Sequence, residues 1–242
     1  MFLSRLPGGR LILAAVASIL GAAAVPAPAA ADPGDRLIVI EHFTSQGCDR
    51  CPPVDDMLRD LARWPDVLPL ALHVDYWDYM GWRDRFALPE NTERQMQYAP
   101  MTSRKRLFTP LLVVGGLDMA EGFQPMKVVD LIEKHRAVDP GVHLRVEREG
   151  DRLVIRAEAA EAFPAAADIV LVLFRPESTV EITHGENAGR VQTYTNVVTH
   201  WQEVTHWDGH APLLVTLSAP DGDGAVFVQR EGPGLILAAQ RF

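Results

Sequence analysis

The sequence contains very little cysteine. Its 242 residues include two cysteines, Cys48 and Cys51, and two residues separate them. A fold stapled by several disulfides is therefore excluded. Any thiol chemistry, thiolate metal site or disulfide within this chain has to use this one pair.

An excess of basic residues is also absent. The chain carries 23 Lys and Arg against 32 Asp and Glu, a formal net charge of -9. Nucleic-acid binding leaves a basic footprint, which this sequence does not have. We therefore expect no nucleic-acid partner.

Long apolar runs are missing except near the start of the chain. Arg5 and Arg10 precede the uncharged run "LILAAVASILGAAAV", and "PAPAAA" follows it with small residues. A cationic start, a short apolar core and an A-x-A ending predict a signal peptide over residues 1–31, cleaved before Asp32. The alternative is an uncleaved anchor, but the run is short against the roughly 20 residues that span a bilayer. We therefore expect a periplasmic or secreted protein with no stable membrane anchor after cleavage.

The remaining chain changes its pattern near residue 139. Apolar runs that favour strands alternate with helical patterns up to that point, which is typical of an α/β layer fold. After it, period-two alternation and short apolar runs between Gly, Pro and Asp predict strands only. The expectation is an α/β domain over residues 32–139 and a small all-β, sandwich-like region over residues 140–242, packed on it.

The cysteine pair falls between a predicted strand, Leu37 to Phe43, and a predicted helix. In "CPPVDDMLRDLARW" the apolar residues recur at helical spacing, and Asp55 is predicted on the opposite, polar face. The two prolines fit only the first helical turn, so the helix is expected to begin close to Cys48. A helix N-terminus stabilises a thiolate and lowers its pKa from about 8.5. This predicts Cys48 as a partly exposed nucleophile and Cys51 as the buried, resolving thiol.

Two other interpretations of the pair stay open. An inert, permanent disulfide is one, although a ring this small removes little chain entropy. A copper or zinc site is the other, and it requires about two further ligands. His42 and His73, each near a predicted strand end, are the candidates.

A strand, a CxxC pair at a helix start and a later Thr-Pro that opens a strand together resemble the thioredoxin-like superfamily. The resemblance implies that Thr109-Pro110 is the cis-proline turn that faces the cysteines, with Pro110 forming a wall of the substrate groove. It also implies that a buried acid in the first strand assists proton transfer, and Glu41 is the candidate. The superfamily needs no cofactor for this chemistry, and none is expected here.

Within that superfamily the chain is similar to a family of secreted proteins catalogued as domain of unknown function 1223. The motifs "FTSQGCDRCPP", "LALHVDYWDYMGW", "TPLLVVGG", "GENAGR", "NVV" and "WDG" carry this resemblance over nearly the whole predicted mature chain. The resemblance implies that the α/β and β-rich parts form one module.

Three further motifs have two interpretations each. The aromatic and acidic segment "HVDYWDYMGW" suits either binding of an extended polypeptide or capping of the core. The segment "HGENAGR" either folds over the cysteines or forms a turn with Asn187 in the left-handed conformation. His200, His206 and His210 suggest a metal site, but histidines in strand-rich regions are more often packed or exposed.

These observations favour an exported, thioredoxin-like thiol–disulfide oxidoreductase. Its partner would be a protein that carries a thiol or a disulfide, or a small thiol. The alternatives are the metal-binding module and a non-catalytic binding protein with a permanent disulfide.

Overall fold

The computed structural model describes Met1 and residues 36–242, so the predicted signal peptide lies outside the described residues. The described residues from 36 onward belong to one compact unit. Three α-helices and eleven β-strands make up this part. In chain order the elements are β1 (Ile38–Thr44), α1 (Pro52–Leu61), β2 (Val67–His73), α2 (Pro89–Tyr98), β3 (Leu111–Val114), β4 (Asp118–Glu121), α3 (Pro125–Arg136), β5 (Val142–Glu149), β6 (Arg152–Ala159), β7 (Ala167–Ile182), β8 (Arg190–Trp207), β9 (Leu213–Ser218), β10 (Asp223–Arg230) and β11 (Ile236–Arg241).

Eight of these strands form one mixed sheet in the order β11-β10-β7-β8-β2-β1-β3-β4. The pairs β1–β2 and β2–β8 are parallel, while the other neighbours are antiparallel. Strands β5, β6 and β9 form a second, three-stranded sheet. All residues of β1 and β2 are buried, which explains why both strands are mostly apolar runs without alternation.

Both faces of the large sheet are covered. Helices α1 and α3 bury one face of β1 and β3 through residues such as Val54, Leu58 and Val128. On the same face, the three-stranded sheet packs on β7, β10 and β11. A core on the opposite face, under Tyr98 of α2, extends from β1 to β10. Apolar contacts therefore run without interruption across the middle of the sheet.

The predicted fold class, an α/β thioredoxin-like domain followed by a small all-β region, is wrong. Strand β8 pairs with β2, with Val197 opposite Ala71, so strands from both parts of the chain share one large sheet. The sequence pattern missed β8 because its long segment is rich in Thr, His, Gln and Asn rather than in apolar residues. Most of the other strands and all three helices are present as predicted, and β4 is an additional strand that the pattern also missed.

The start of α1 differs from the prediction. Helix α1 begins at Pro52, about one turn after Cys48, and Cys51 is its N-cap residue. Asn91 lies inside α2, which begins at Pro89. Its side chain donates to the backbone carbonyl of His73, 2.9 Å away, and ties α2 to the end of β2.

In the part of the chain that the structure describes, no helix is both long and apolar enough to cross a membrane.

Candidate functional site

Cys48 and Cys51 form a disulfide at the junction between β1 and α1. They lie in the cysteine loop, residues 45–51, where the backbone N–H of Cys51 donates to the carbonyl of Cys48 at 3.2 Å. The backbone N–H groups of Val54 and Asp55 then donate to the carbonyl of Cys51 and start the helix. The pair therefore sits at the positive end of the α1 dipole, as predicted, but Cys51 is the nearer of the two.

The predicted exposure of Cys48 is wrong. Both cysteines have 0% of their surface exposed, whereas the intervening Asp49 and Arg50 point outward. Two segments from distant parts of the sequence cover the cysteine loop. They are the insert, residues 74–88 between β2 and α2, and the latch loop, residues 183–189 between β7 and β8.

The latch loop is held to the cysteine loop by Asn187. Its Nδ2 donates to the carbonyl of Gln46 at 2.9 Å and to the carbonyl of Cys48 at 2.8 Å. Asn187 is 3% exposed. The segment "HGENAGR" thus reaches the cysteines, and Asn187 does not adopt the left-handed conformation that a simple turn would require.

Two tryptophans of the insert complete the cover. The Nε1 of Trp82 donates to the side-chain oxygen of Gln46 at 2.7 Å, and its ring stacks with that of His184 in the latch loop. The Nε1 of Trp77 donates to Oγ1 of Thr109 at 2.8 Å. A Cβ atom added to Gly47 would lie 3.1 Å from the Cβ of Trp77, so the insert packs closely on the cysteine loop. These aromatic residues cap the site, while Tyr79 of the same segment is 80% exposed.

Thr109 and Pro110 lie at the same end of the sheet. The peptide bond between them is cis, as the resemblance implies. Leu111, the next residue, pairs with Phe43 in the antiparallel β1–β3 register, which brings Pro110 alongside Thr44 at the start of the cysteine loop. The structure therefore brings three predicted segments together: the cysteine pair, the Thr-Pro turn and the aromatic insert.

A buried histidine–carboxylate pair lies behind the cysteine loop, between β1 and α1. The Nε2 of His42 is 3.0 Å from Oδ1 of Asp55, and Oγ1 of Thr44 donates to the same oxygen at 2.9 Å. Asp55 is 2% exposed, so its predicted place on the polar helix face is wrong. This carboxylate lies one helical turn after Cys51.

A second pair lies at the end of β2. The Nδ1 of His73 is 2.7 Å from Oδ2 of Asp84, and the backbone N–H of Gln46 donates to that oxygen at 2.8 Å. Burial acts to raise the pKa of Asp84, but His73 and the backbone N–H groups of Gln46 and Phe86 outweigh it and hold the pKa below its usual value. Asp84 therefore couples the second histidine directly to the cysteine loop.

Both pairs leave polar atoms without partners. Among the described residues, four fully buried side-chain atoms make no hydrogen bond: His42 Nδ1, Gln46 Nε2, Asp55 Oδ2 and His73 Nε2. Tyr194 of β8 lies against His73, with ring centroids 4.4 Å apart. Burial raises the pKa of Tyr194, and the nearby carboxylates of Asp55 and Asp84 raise it further. Unpaired buried polar atoms are rare in proteins, and these four lie in β1, the cysteine loop, the first turn of α1 and the end of β2.

Glu41 lies apart from the cysteines. Its side chain points to the opposite face of β1 from His42, because neighbouring residues of a strand alternate. There it binds Arg94, and Tyr98 donates to its Oε2 at 2.8 Å. The structure thus places Glu41 in a separate buried ion pair, and its predicted role in proton transfer stays a prediction.

The predicted metal ligands do not converge in this disulfide-bonded state. Within the described ranges, the only group of three potential ligands with atoms within 4.8 Å of one another is Asp168, Glu203 and His206. His206 bonds to both carboxylates there, at 2.7 and 3.1 Å, on an exposed surface. The cysteines with His42 or His73 do not form such a group.

The sequence did not identify Asp55 and Asp84 as site residues. Asp55 carried a weak signal, since it stands one turn after Cys51 and on its side of the helix. Asp84 carried none, because a loop distant in sequence brings it to the cysteine loop. For the segment that contains Asn187, folding over the cysteines was one of two interpretations, and the structure agrees with that one.

The comparisons with known proteins identify relatives over most of the chain. A family model described as "Protein of unknown function (DUF1223)" matches residues 39–229. The crystal structure of protein AGR_C_4864 from Agrobacterium tumefaciens is 34% identical, covers 85% of this chain and 93% of that chain, and superposes with a TM-score of 0.73. HBP35 of Porphyromonas gingivalis has a similar fold at 13% identity, with a TM-score of 0.61 over 86% of this chain and 75% of that one. No curated protein matches this chain significantly.

Proposed function

The chain belongs to the family of proteins of unknown function DUF1223, and from its own site we propose that it carries out thiol–disulfide exchange through Cys48 and Cys51. The observation that carries the proposal is the position of the disulfide. It joins Cys51, the N-cap residue of α1, to Cys48 one turn earlier, and the buried contact between Asp55 and His42 lies one turn further along the helix. A helix N-terminus stabilises the thiolate that exchange requires, both as attacking group and as leaving group.

The second reactant in the proposed reaction is a partner that carries two thiols or supplies two thiol molecules. A thiolate of the partner attacks the sulfur of Cys48, forms a mixed disulfide and displaces Cys51 as a thiolate. A second partner thiolate then attacks the partner's sulfur and releases Cys48. The partner's two thiols are oxidised to one disulfide, and two electrons and two protons pass to the cysteine pair; the reverse sequence oxidises the protein.

The buried pairs supply a place for the two protons. The cysteine loop is covered, so protons cannot be exchanged directly with bulk water at the sulfurs. Asp55 Oδ2 and His42 Nδ1 are buried and unpaired, as is His73 Nε2. Imidazoles and carboxylates are the side chains that most often transfer protons in enzymes. We assign proton transfer to these pairs, Asp55 with His42 and Asp84 with His73.

We also propose the superfamily to which the site is related and the location of the protein. The strand–CxxC–helix order and the Thr109-Pro110 turn beside it support a relationship of this site to the thioredoxin-like superfamily. The N-terminal pattern supports export to the periplasm or the medium, where disulfides persist. The partner is a protein with a thiol or a disulfide, or a small thiol.

One observation favours a second candidate, a permanent disulfide in a non-catalytic binding protein. Both cysteines are fully buried, which is typical of structural disulfides. The two functions differ in whether the folded protein exchanges its disulfide.

Trapping the mixed disulfide separates these functions. Cys51→Ala removes the resolving thiol, so we expect the Cys48 thiolate to attack oxidised glutathione or a disulfide-bearing protein, displace one thiolate and keep the other half as a stable mixed disulfide, detected by mass spectrometry. The matched control is Cys48→Ala, in which Cys51 should form much less adduct. Absence of any adduct on Cys48 in the folded variant supports the permanent disulfide instead.

A further inference from the structure

The latch loop is attached to the cysteine loop through a single buried residue. Of residues 183–189, only Asn187 is buried, and the others are exposed. Gly185 and Gly189 flank it with φ angles of +79° and +84°, a conformation that favours glycine and makes the two turns on either side of Asn187 possible. A segment with few buried apolar contacts opens at low free energy.

The contacts of Asn187 require a side chain that donates two hydrogen bonds. Both of its partners, the carbonyls of Gln46 and Cys48, are acceptors only, so the carboxamide NH2 group has to face them. The two carbonyls belong to alternate residues of the cysteine loop. One side chain therefore fixes the loop that holds the disulfide and at the same time covers it.

The latch loop also contacts the insert, through Gly185 beside Trp82 and through His184. The ring of His184 stacks with that of Trp82, with centroids 6.2 Å apart, but His184 itself is exposed. Behind this cover both sulfurs are inaccessible, although exchange requires a partner thiolate to reach one of them in line with the disulfide. The closed arrangement is thus incompatible with exchange.

We propose that the latch loop is a lid over the disulfide, and that Asn187 is the positioning residue that holds it closed and so controls the access of thiols. The proposal rests on the exchange function above. Opening breaks the two bonds from Asn187 and swings residues 183–189 away from the cysteine loop. The sheet behind the cysteine loop keeps its register.

Two substitutions of Asn187 test the lid. Asn187→Ala removes both donors, and Asn187→Asp keeps the shape but directs a carboxylate at two carbonyl oxygens. With two hydrogen bonds lost, we expect reduction of the disulfide by dithiothreitol to be about tenfold to thirtyfold faster in the alanine variant, and at least as fast in the aspartate variant. Released thiols are trapped with N-ethylmaleimide under native conditions and counted by mass spectrometry.

Two control variants separate access from general loosening of the fold. Glu186→Ala changes an exposed neighbour in the same loop, and Asn196→Ala removes a buried bond, 2.7 Å long, from Asn196 to the carbonyl of Pro69 in β2. In both control variants the disulfide should be reduced at the wild-type rate. This should hold even if Asn196→Ala lowers the melting temperature as much as the Asn187 variants do. Aspartate has nearly the same shape as asparagine, so Asn187→Asp preserves any packing role of residue 187. Faster reduction of the disulfide in this variant therefore reports the loss of the hydrogen-bond donor.

The outcomes distinguish the lid from the function it serves. Wild-type reduction rates in both Asn187 variants, or equal acceleration in Asn196→Ala, overturn the lid. Faster reduction in the Asn187 variants, with no mixed disulfide on Cys48 in the Cys51→Ala protein, leaves the lid standing and overturns exchange as the function.

Discussion

At the scale of single residues, the site depends on carboxylates that are buried beside histidines. Asp55 accepts hydrogen bonds from His42 and Thr44 through one oxygen, while its other oxygen is buried and unpaired. Such an unpaired buried oxygen costs free energy, and in the proposed exchange it is the oxygen that receives a proton.

Asp55→Asn tests this role. The amide oxygen of asparagine can still accept from His42 and Thr44, so we expect the free energy of unfolding to change by less than about 1 kcal/mol. The proton acceptor is lost, so the rate of exchange with a dithiol should fall by about tenfold to a hundredfold. Stopped-flow measurement of the exchange rates of the wild type and of Asp55→Asn checks this. Thr44→Val is the control, because it removes one hydrogen bond to Asp55 but no acid–base group. An unchanged rate in Asp55→Asn would remove Asp55 from the mechanism.

The pH dependence of stability tests Asp84. Its pKa is lowered in the folded state, so its charge contributes stability above the unfolded pKa of about 4, and this contribution is lost as the pH falls through the folded pKa. Asp84→Asn should lower the free energy of unfolding at pH 7 by about 2–4 kcal/mol, because His73 and two backbone N–H groups lose a charged partner. The difference between wild type and variant should shrink as the pH is lowered from 6 towards 2 in a series of urea titrations. A difference that stays constant with pH would contradict the lowered pKa.

At the scale of elements, the site is an assembly of loops around the end of β1. The insert reaches the Thr109-Pro110 turn through Trp77 and the cysteine loop through Trp82. The latch loop meets the insert through His184. Polar contacts tie these loops to one another, and the insert also packs through Phe86 and Trp82 on an apolar cluster with Tyr194 of β8.

A double-mutant cycle measures one of these contacts. Trp77→Phe keeps the packing of the ring but removes the donor to Thr109, and Thr109→Val removes the acceptor. We expect each change to lower the free energy of unfolding by about 1 kcal/mol, and the pair to show a coupling of about the same size. Chemical denaturation of the four proteins gives the values, and additive effects would show that the insert is not anchored there.

The elements differ in how far the sequence predicts them. Apolar runs predict β1 and β3 closely, because both strands are buried along their whole length. Strand β8 lacks such a run, since most of its residues are polar and fewer than half of them are buried. The cysteines and the Thr-Pro turn were predicted through motif and resemblance. Asp84 was not, and the place of Asn187 over the cysteines was only one of two interpretations, because tertiary contacts over 38 and 139 residues bring these side chains to the cysteine loop.

At the scale of the whole molecule, one sheet joins the two parts of the chain. Strand β8 fills the edge of β2, and Tyr194 of that strand lies against His73. On the other face, Arg94 of α2 binds Glu41 of β1 and donates to Gln229 of β10 at 2.9 Å. The site therefore depends on residues from both parts.

This arrangement predicts that the protein unfolds as one unit. A fragment of residues 36–139 would leave the edge of β2 unpaired and its apolar faces exposed, so we expect it to be unfolded or aggregated. The chain from residue 36 to 242 should give a single calorimetric transition that coincides with loss of tryptophan fluorescence. Two separate transitions, or a folded and monomeric fragment, would contradict the shared core.

The central claim is that the folded protein exchanges its disulfide, and the reduction potential of the Cys48–Cys51 pair tests it most directly. The protein from residue 32 onward is equilibrated in glutathione and dithiothreitol buffers of known potential, and the reduced fraction is counted after alkylation. The account predicts a reversible equilibrium between about -120 and -270 mV, the range of thiol–disulfide oxidoreductases, with circular dichroism of a folded protein in both states. A pair that stays oxidised below about -300 mV, or that is reduced only when the protein unfolds, would contradict the account and identify a structural disulfide.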